Sequence, residues 1–286
     1  MNYSTMNFTP EAYPNSTSHS FGVVDTLNFC MFIFSFLVGL PTHCYVIWLI
    51  VTGAGSGVAS EFFNLNLSIS EAGFSLDCLM FFLSEWFSFL LEFKMFLAGL
   101  VTTGRPLFQC LMCVERYLAV VHPVTFLKYK PLRYRLICCA VGWILTLGAC
   151  LCCMYTMVKH KFVHVWFMSV QFVLFVSIQL FCLVAVLRAL KQSGPGERVR
   201  ENEENHRKRR AFYLILITTI SMVITYVPFN TVGFFSIVTG IFNSAHYVPG
   251  LTCFVLCGFV QPILYLHRTG KLSCLCLFSS PLPQNK

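Results

Sequence analysis

Charge is scarce in this chain. Asp, Glu, Lys and Arg make up 11% of its 286 residues, whereas a soluble domain carries about 25%, so an ordinary water-soluble globule is excluded. The first twenty-five residues contain no Lys or Arg. A cleavable signal peptide needs a basic start before its apolar run, so none is expected, and the first apolar segment is expected to act as a signal anchor. Internal repeats and long soluble modules are absent. The only hydrophilic insert, Gln192–Arg210, mixes both signs of charge around Ser-Gly-Pro-Gly at 193–196, which predicts helical extensions on either side of a break. No catalytic constellation is present, so the chain is not expected to be an enzyme, and neither a cofactor nor a metal is expected.

What is present is apolar. Hydrophobic residues make up 56% of the chain, aromatics 16%, and Phe alone occurs 30 times. Seven stretches reach the ~20 residues that a spanning helix needs: Thr26–Val51, Phe62–Leu83, Phe93–Val121, Leu136–Val158, Val163–Leu187, Ala211–Ile241 and Tyr247–Leu266. The third and sixth exceed the bilayer core and must tilt or project. The expected fold is therefore all-α: a seven-transmembrane helix bundle over 26–266, an extracellular N-terminus over 1–25, and a cytoplasmic tail over 267–286 with a short amphipathic helix.

Lys and Arg set the orientation. Lys128, Lys130, Arg133 and Arg135 follow the third segment, and a run from Arg188 to Arg210 follows the fifth; the opposite loops hold only Lys94, Lys159 and Lys161. The N-terminus is thus expected outside. The net charge of +8 reads as a topology signal, and nucleic acid is not an expected partner. Three sequons, at Asn2, Asn7 and Asn15, suit glycosylation on that side. Most of the fifteen cysteines lie within the apolar segments and read as small apolar residues. Cys274 and Cys276 follow the last segment and suit palmitoylation, with membrane lipid as a partner.

Four polar side chains interrupt the apolar segments: His43, Glu71, Arg105 and Gln261. A charge at the bilayer centre costs roughly 2.5–3.5 kcal/mol on insertion scales. Arg105 and Arg116 are eleven residues apart, about three helical turns, so they share a face with Gln109 and Met112, and Arg105 lies roughly 16 Å from Arg116 along the axis. Glu71 lies roughly 13 Å into the second segment. The depths match, which predicts an Arg105–Glu71 pair, with His43 and Gln261 supplying hydrogen bonds to it.

The third segment ends in Val114-Glu115-Arg116-Tyr117-Leu118-Ala119-Val120-Val121-His122-Pro123. This run resembles the Asp/Glu-Arg-Tyr signature of rhodopsin-like (class A) G-protein-coupled receptors. Gln261-Pro262-Ile263-Leu264-Tyr265 is similar to that family's Asn/Asp-Pro-x-x-Tyr, Asn66-Leu67-Ser68-Ile69-Ser70-Glu71 to its Asn-Leu-Ala-x-Ala-Asp, and Trp143 to its fourth-helix tryptophan. Tyr226-Val227-Pro228 departs from Cys-Trp-x-Pro, and His43 replaces the usual asparagine. The flavour is that of the nucleotide- and protease-activated branch.

The resemblance implies a plasma-membrane, multi-pass receptor that passes an extracellular signal to a heterotrimeric G protein. Glu115, Arg116, Tyr117, Pro123 and Val124 would form the coupling site, with Arg116 held by Glu115 in the resting state. Met222, Tyr226, Pro228, Pro262 and Tyr265 would supply toggle and hinges. It also implies a sodium ion held at the positions of Glu71 and Arg105, a role an arginine would displace, and a disulfide for which Leu91 and the short Lys159–Phe162 loop offer no cysteine. The ligand is not legible. The alternatives are a non-signalling or constitutively active seven-helix relative and a proton-linked transporter; the lack of repeat symmetry opposes the transporter.

Overall fold

The computed structural model describes residues 23–53, 61–87, 89–129, 132–191, 198–240 and 244–271. Among these the regular elements are all helical. Helix α1 covers 23–51, α2 Phe62–Trp86, α3 90–121, α4 Leu132–Lys159, α5 Lys161–Lys191, α6 Arg198–Thr239, and α7 248–268 after a single 3₁₀ turn at Ser244–Tyr247. A short helix, Pro123–Tyr129, follows α3. The expected glycosylation sites Asn2, Asn7 and Asn15, the expected palmitoylation sites Cys274 and Cys276, and most of the expected tail helix lie outside the described residues.

Six of the seven helices are long and apolar enough to cross a membrane by length and composition. The other, α2, carries Asn64, Asn66, Ser68, Ser70, Glu71 and Ser75. All six are buried, because α2 packs between α1, α3 and α4. Its polar groups therefore meet protein and avoid lipid, where an unmet hydrogen bond would be costly. For example, the Trp143 indole N–H of α4 donates to Asn66 Oδ1 at 2.8 Å.

Helix α3 is the centre post, in contact with α2, α4, α5 and α6. Its approach to α4 needs a glycine: a Cβ on Gly99 would lie 2.4 Å from the Cys150 Cα. Helices α4 and α5 are joined through His160 alone, so the loop expected at Lys159–Phe162 is nearly absent.

The prolines act differently from one another. Both α1 and α3 contain a π-helical turn, Ser35–Gly39 and Leu100–Gly104, each ending two residues before a proline, Pro41 and Pro106. A proline inside a helix removes a hydrogen bond and crowds the carbonyl four residues back; a wider turn relieves that crowding. Helix α6 runs unbroken through Pro228. Helix α7 is interrupted at Phe259, three residues before Pro262.

Candidate functional site

The π turn of α3 delivers Arg105 to the middle of the bundle, 2% exposed. Its Nε stands 2.6 Å from Glu71 Oε1 of α2, which is equally buried. Nη1 donates to the backbone carbonyl of Phe254 on α7 at 3.1 Å. The guanidinium also lies over the Phe254 ring, 4.4 Å from its centroid, a favourable placement for a desolvated cation. One side chain thus joins α2, α3 and α7.

Two expectations about this cluster need correction. The ring of His43 is buried close by, but its Nδ1 has no hydrogen-bond partner. Gln261 turns to α6 and donates to Thr218 Oγ1 at 3.0 Å. Beyond Glu71, the Arg105 guanidinium meets a backbone carbonyl and an aromatic face. A backbone acceptor is invisible in a search for polar side chains, and this one became available because α7 passes close to α3. Gln109, one turn beyond Arg105, is buried with its Oε1 unpartnered.

The residues around Glu71 do not suit a sodium ion. The Arg105 guanidinium already supplies the positive charge against the carboxylate, and a second cation there would meet like charge. Among the described residues no group of three His, Cys, Asp or Glu side chains converges on a metal-sized space.

At the other end of α3, Glu115 and Arg116 are not paired with each other. Glu115 Oε1 forms an ion pair with Arg135 Nη2 of α4. Neighbouring residues on a helix point about 100° apart, so the carboxylate reaches α4 while Arg116 faces the bundle. There Arg116 lines a cavity with residues of α2, α6 and α7, including Asn64, Leu214, Thr218, Gln261 and Tyr265. Glu61 and Arg268 form an ion pair across its rim, joining α2 to α7. Tyr117 packs edge-on against Phe181, and its hydroxyl is 3.0 Å from His122 Nε2. Pro123 and Val124 are exposed on the short helix, Val124 at 81%. In the sequence Arg135 is legible only as a topology signal, and the sign of its charge is the one feature that marks it as a partner for Glu115.

Met222 and Tyr226 of α6 are buried in one apolar cluster with Phe254 and Val255 of α7. The Tyr226 hydroxyl donates to the Val101 carbonyl in the π turn of α3, 3.4 Å away. Arg105 and Arg116 thus mark two levels of α3, with Gln109 one turn from Arg105 and Gln261 lining the Arg116 cavity beside Thr218.

Residues 42–265 match the family model described as 7 transmembrane receptor (rhodopsin family). The chain belongs to that family. Similar proteins include mouse chemokine XC receptor 1, 26% identical over 73% of this receptor and 66% of that protein. Human C-C chemokine receptor type 8 is also 26% identical, over 83% and 68%, and the rat uracil nucleotide/cysteinyl leukotriene receptor is 21% identical over 77% and 69%. The receptor thus spans about two thirds of the length of these relatives, whose names include both chemokine and nucleotide ligands.

Proposed function

We propose that this receptor sits in the plasma membrane with its N-terminus outside and passes an extracellular signal to a heterotrimeric G protein. The observation that carries the reading is Arg116. It is the one member of the Glu115-Arg116-Tyr117 run that faces the cavity between α2, α3, α6 and α7, and Glu115 is engaged elsewhere by Arg135. An outward swing of α6 would open that cavity and present Arg116 to a partner helix. Val124, exposed on the short helix that follows α3, offers an apolar contact of the kind a G protein would cover. Asn2, Asn7 and Asn15 would be glycosylated outside, and Cys274 and Cys276 would carry lipid inside. Activation of each G-protein class in cells expressing the chain without ligand tests the reading. Silence in every class would reject it as a constitutive signaller, and silence with every candidate ligand would reject it as a receptor of this mechanism.

A second reading, a seven-helix relative that does not signal, is favoured by Tyr226. Its hydroxyl bond to Val101 holds α6 against α3 at the position expected to act as a toggle. Tyr226→Phe, which keeps the ring and removes the bond, separates the two: a gain of signalling supports the receptor, and continued silence supports the relative.

A further inference from the structure

Helices α5 and α6 end side by side in a collar of positive charge. Their contacts run from Trp166 against Phe234, through Ser169 to Asn230, down to the apolar cluster that holds Val186 and Ile215, so the two are antiparallel. Lys191 lies five residues beyond Val186, and Arg210 five residues before Ile215. Both therefore stand about 7.5 Å past the cluster, at one level. Arg188, Lys208 and Arg209 lie within a turn of it. Arg188, Lys191, Arg209 and Arg210 are exposed and make no ion pair among the described residues. The cluster also contains Cys113 and touches Tyr117 of α3, which puts the collar at the Arg116 end of the bundle.

Helical spacing decides which way these residues face. On α5, Arg188 follows the exposed Val184 by four positions and the exposed Phe181 by seven, and Lys191 comes three later. On α6, Arg209 precedes the exposed Tyr213 by four positions and the exposed Ile220 by eleven. These apolar side chains lie on the outside of the bundle, where lipid would cover them. The basic residues thus continue two lipid-facing stripes, and none of them lines the Arg116 cavity. Tyrosine gathers where hydrocarbon meets headgroups. With Tyr213 at that boundary, the collar one turn further on stands at headgroup depth, and long Arg and Lys side chains reach it readily.

We propose that this collar binds the headgroup of a phosphoinositide, which bridges the ends of α5 and α6. Clusters of Lys and Arg next to a spanning helix attract anionic lipid. A headgroup with several phosphates can engage both helix ends at once, whereas a lipid with a single charge can engage only one. Arginine adds paired hydrogen bonds to each phosphate it meets. The acidic residues of α6 begin with Glu204, five residues before Arg209 and so about 7.5 Å further from the membrane. A G protein would be expected on Arg116 and Val124, inside and beneath the bundle, and not on its lipid-facing side. That the leaflet concerned is the cytoplasmic one rests on the receptor reading above; the lipid contact itself does not.

The full chain is placed in nanodiscs of phosphatidylcholine, and binding of a fluorescent phosphatidylinositol bisphosphate is compared with that of phosphatidylserine at equal added charge. The parent should bind the phosphoinositide clearly more tightly. Arg188→Gln with Lys191→Gln, and separately Arg209→Gln with Arg210→Gln, should each weaken it by about fivefold or more, the value of at least one basic residue near the surface. Lys94→Gln with Lys159→Gln removes the same charge at the opposite end and should leave binding unchanged. No preference over phosphatidylserine, a loss confined to the pair on one helix, or an equal loss from the opposite-end variant would each overturn the proposal. So would equal affinity for the free headgroup without its lipid chains, because the lipid-facing stripes would then contribute nothing. If a double variant yields no folded protein, Arg188→Gln and Arg209→Gln are measured singly against the same criteria. Loss of G-protein activation with lipid binding intact would make the collar a protein contact and likewise overturn it. Absence of G-protein activation in the parent would reject the receptor reading and leave the lipid titration to decide this one.

Discussion

At the residue scale, Arg105 and Glu71 dominate. Their charges are desolvated, so each exists at the expense of the other, and removing one partner of such a pair typically costs ~3–5 kcal/mol because the remaining charge is uncompensated. Arg105→Ala and Glu71→Ala are each expected to depress surface delivery sharply. Together they should cost less than the sum, since residues in direct contact couple; a radioligand-free surface-epitope assay across the four variants measures this. The replacement of both residues, Arg105→Ser with Glu71→Asp, installs the types that the resembling family uses and should restore delivery. It should also add a sodium dependence of thermal stability that the parent lacks, because a ligand that binds only the folded state stabilises it by mass action. A parent melting temperature that rises in sodium over potassium would refute the displacement argument.

At the scale of elements, the contacts between helices in the middle of the bundle are imperfect. The Gln109 side chain of α3 is buried with Oε1 unmet. Replacing an unsatisfied buried amide by a similar apolar group recovers about 1–3 kcal/mol of desolvation cost. Gln109→Leu is therefore expected to raise the melting temperature and to lower ligand-independent signalling, by tightening α3 against α6. A fall in stability would mean that the Gln109 amide is satisfied in the folded protein. Helices α6 and α7 are joined at Thr218, whose hydroxyl accepts from Gln261 and donates to the Leu214 carbonyl at 2.7 Å. Thr218→Val keeps the shape and strands the Gln261 amide. Basal activation should rise, since the tether that holds α6 to α7 is lost while the apolar packing stays; unchanged basal activation together with unchanged melting would show that the tether does not restrain α6.

For the whole molecule, the proposal makes one end of the bundle the coupling face. Arg116→Ala should abolish G-protein activation while surface expression remains near normal, because Arg116 is only partly buried and makes no ion pair among the described residues. Activation equal to the parent's would refute the mechanism. Orientation has its own check. If the N-terminus is outside, replacement of Asn2, Asn7 and Asn15 by Gln should remove the glycosidase-sensitive mass shift of the chain, whereas an insensitive parent would place that end inside or leave the sites unused.

The family and the helical architecture were legible in the sequence because both rest on local chemistry. Long apolar runs dictate spanning helices, and Glu115-Arg116-Tyr117, Gln261-Pro262 and Trp143 are contiguous signatures. Depth along a helix follows from a fixed rise per residue, which is why the match of Arg105 with Glu71 is legible in the sequence. Rotation and partner choice were not legible. The π turns at Ser35–Gly39 and Leu100–Gly104 re-aim everything beyond them, and no periodicity argument registers one extra residue in a turn. Which acceptor satisfies Arg105, which cation holds Glu115, and where Gln261 points depend on how closely α7, α4 and α6 approach. The acceptor that met Arg105 is a backbone carbonyl, which every residue carries and the sequence therefore cannot distinguish. Only the packed structure decided that it belongs to Phe254, because proximity between segments 149 residues apart is a property of the assembled bundle.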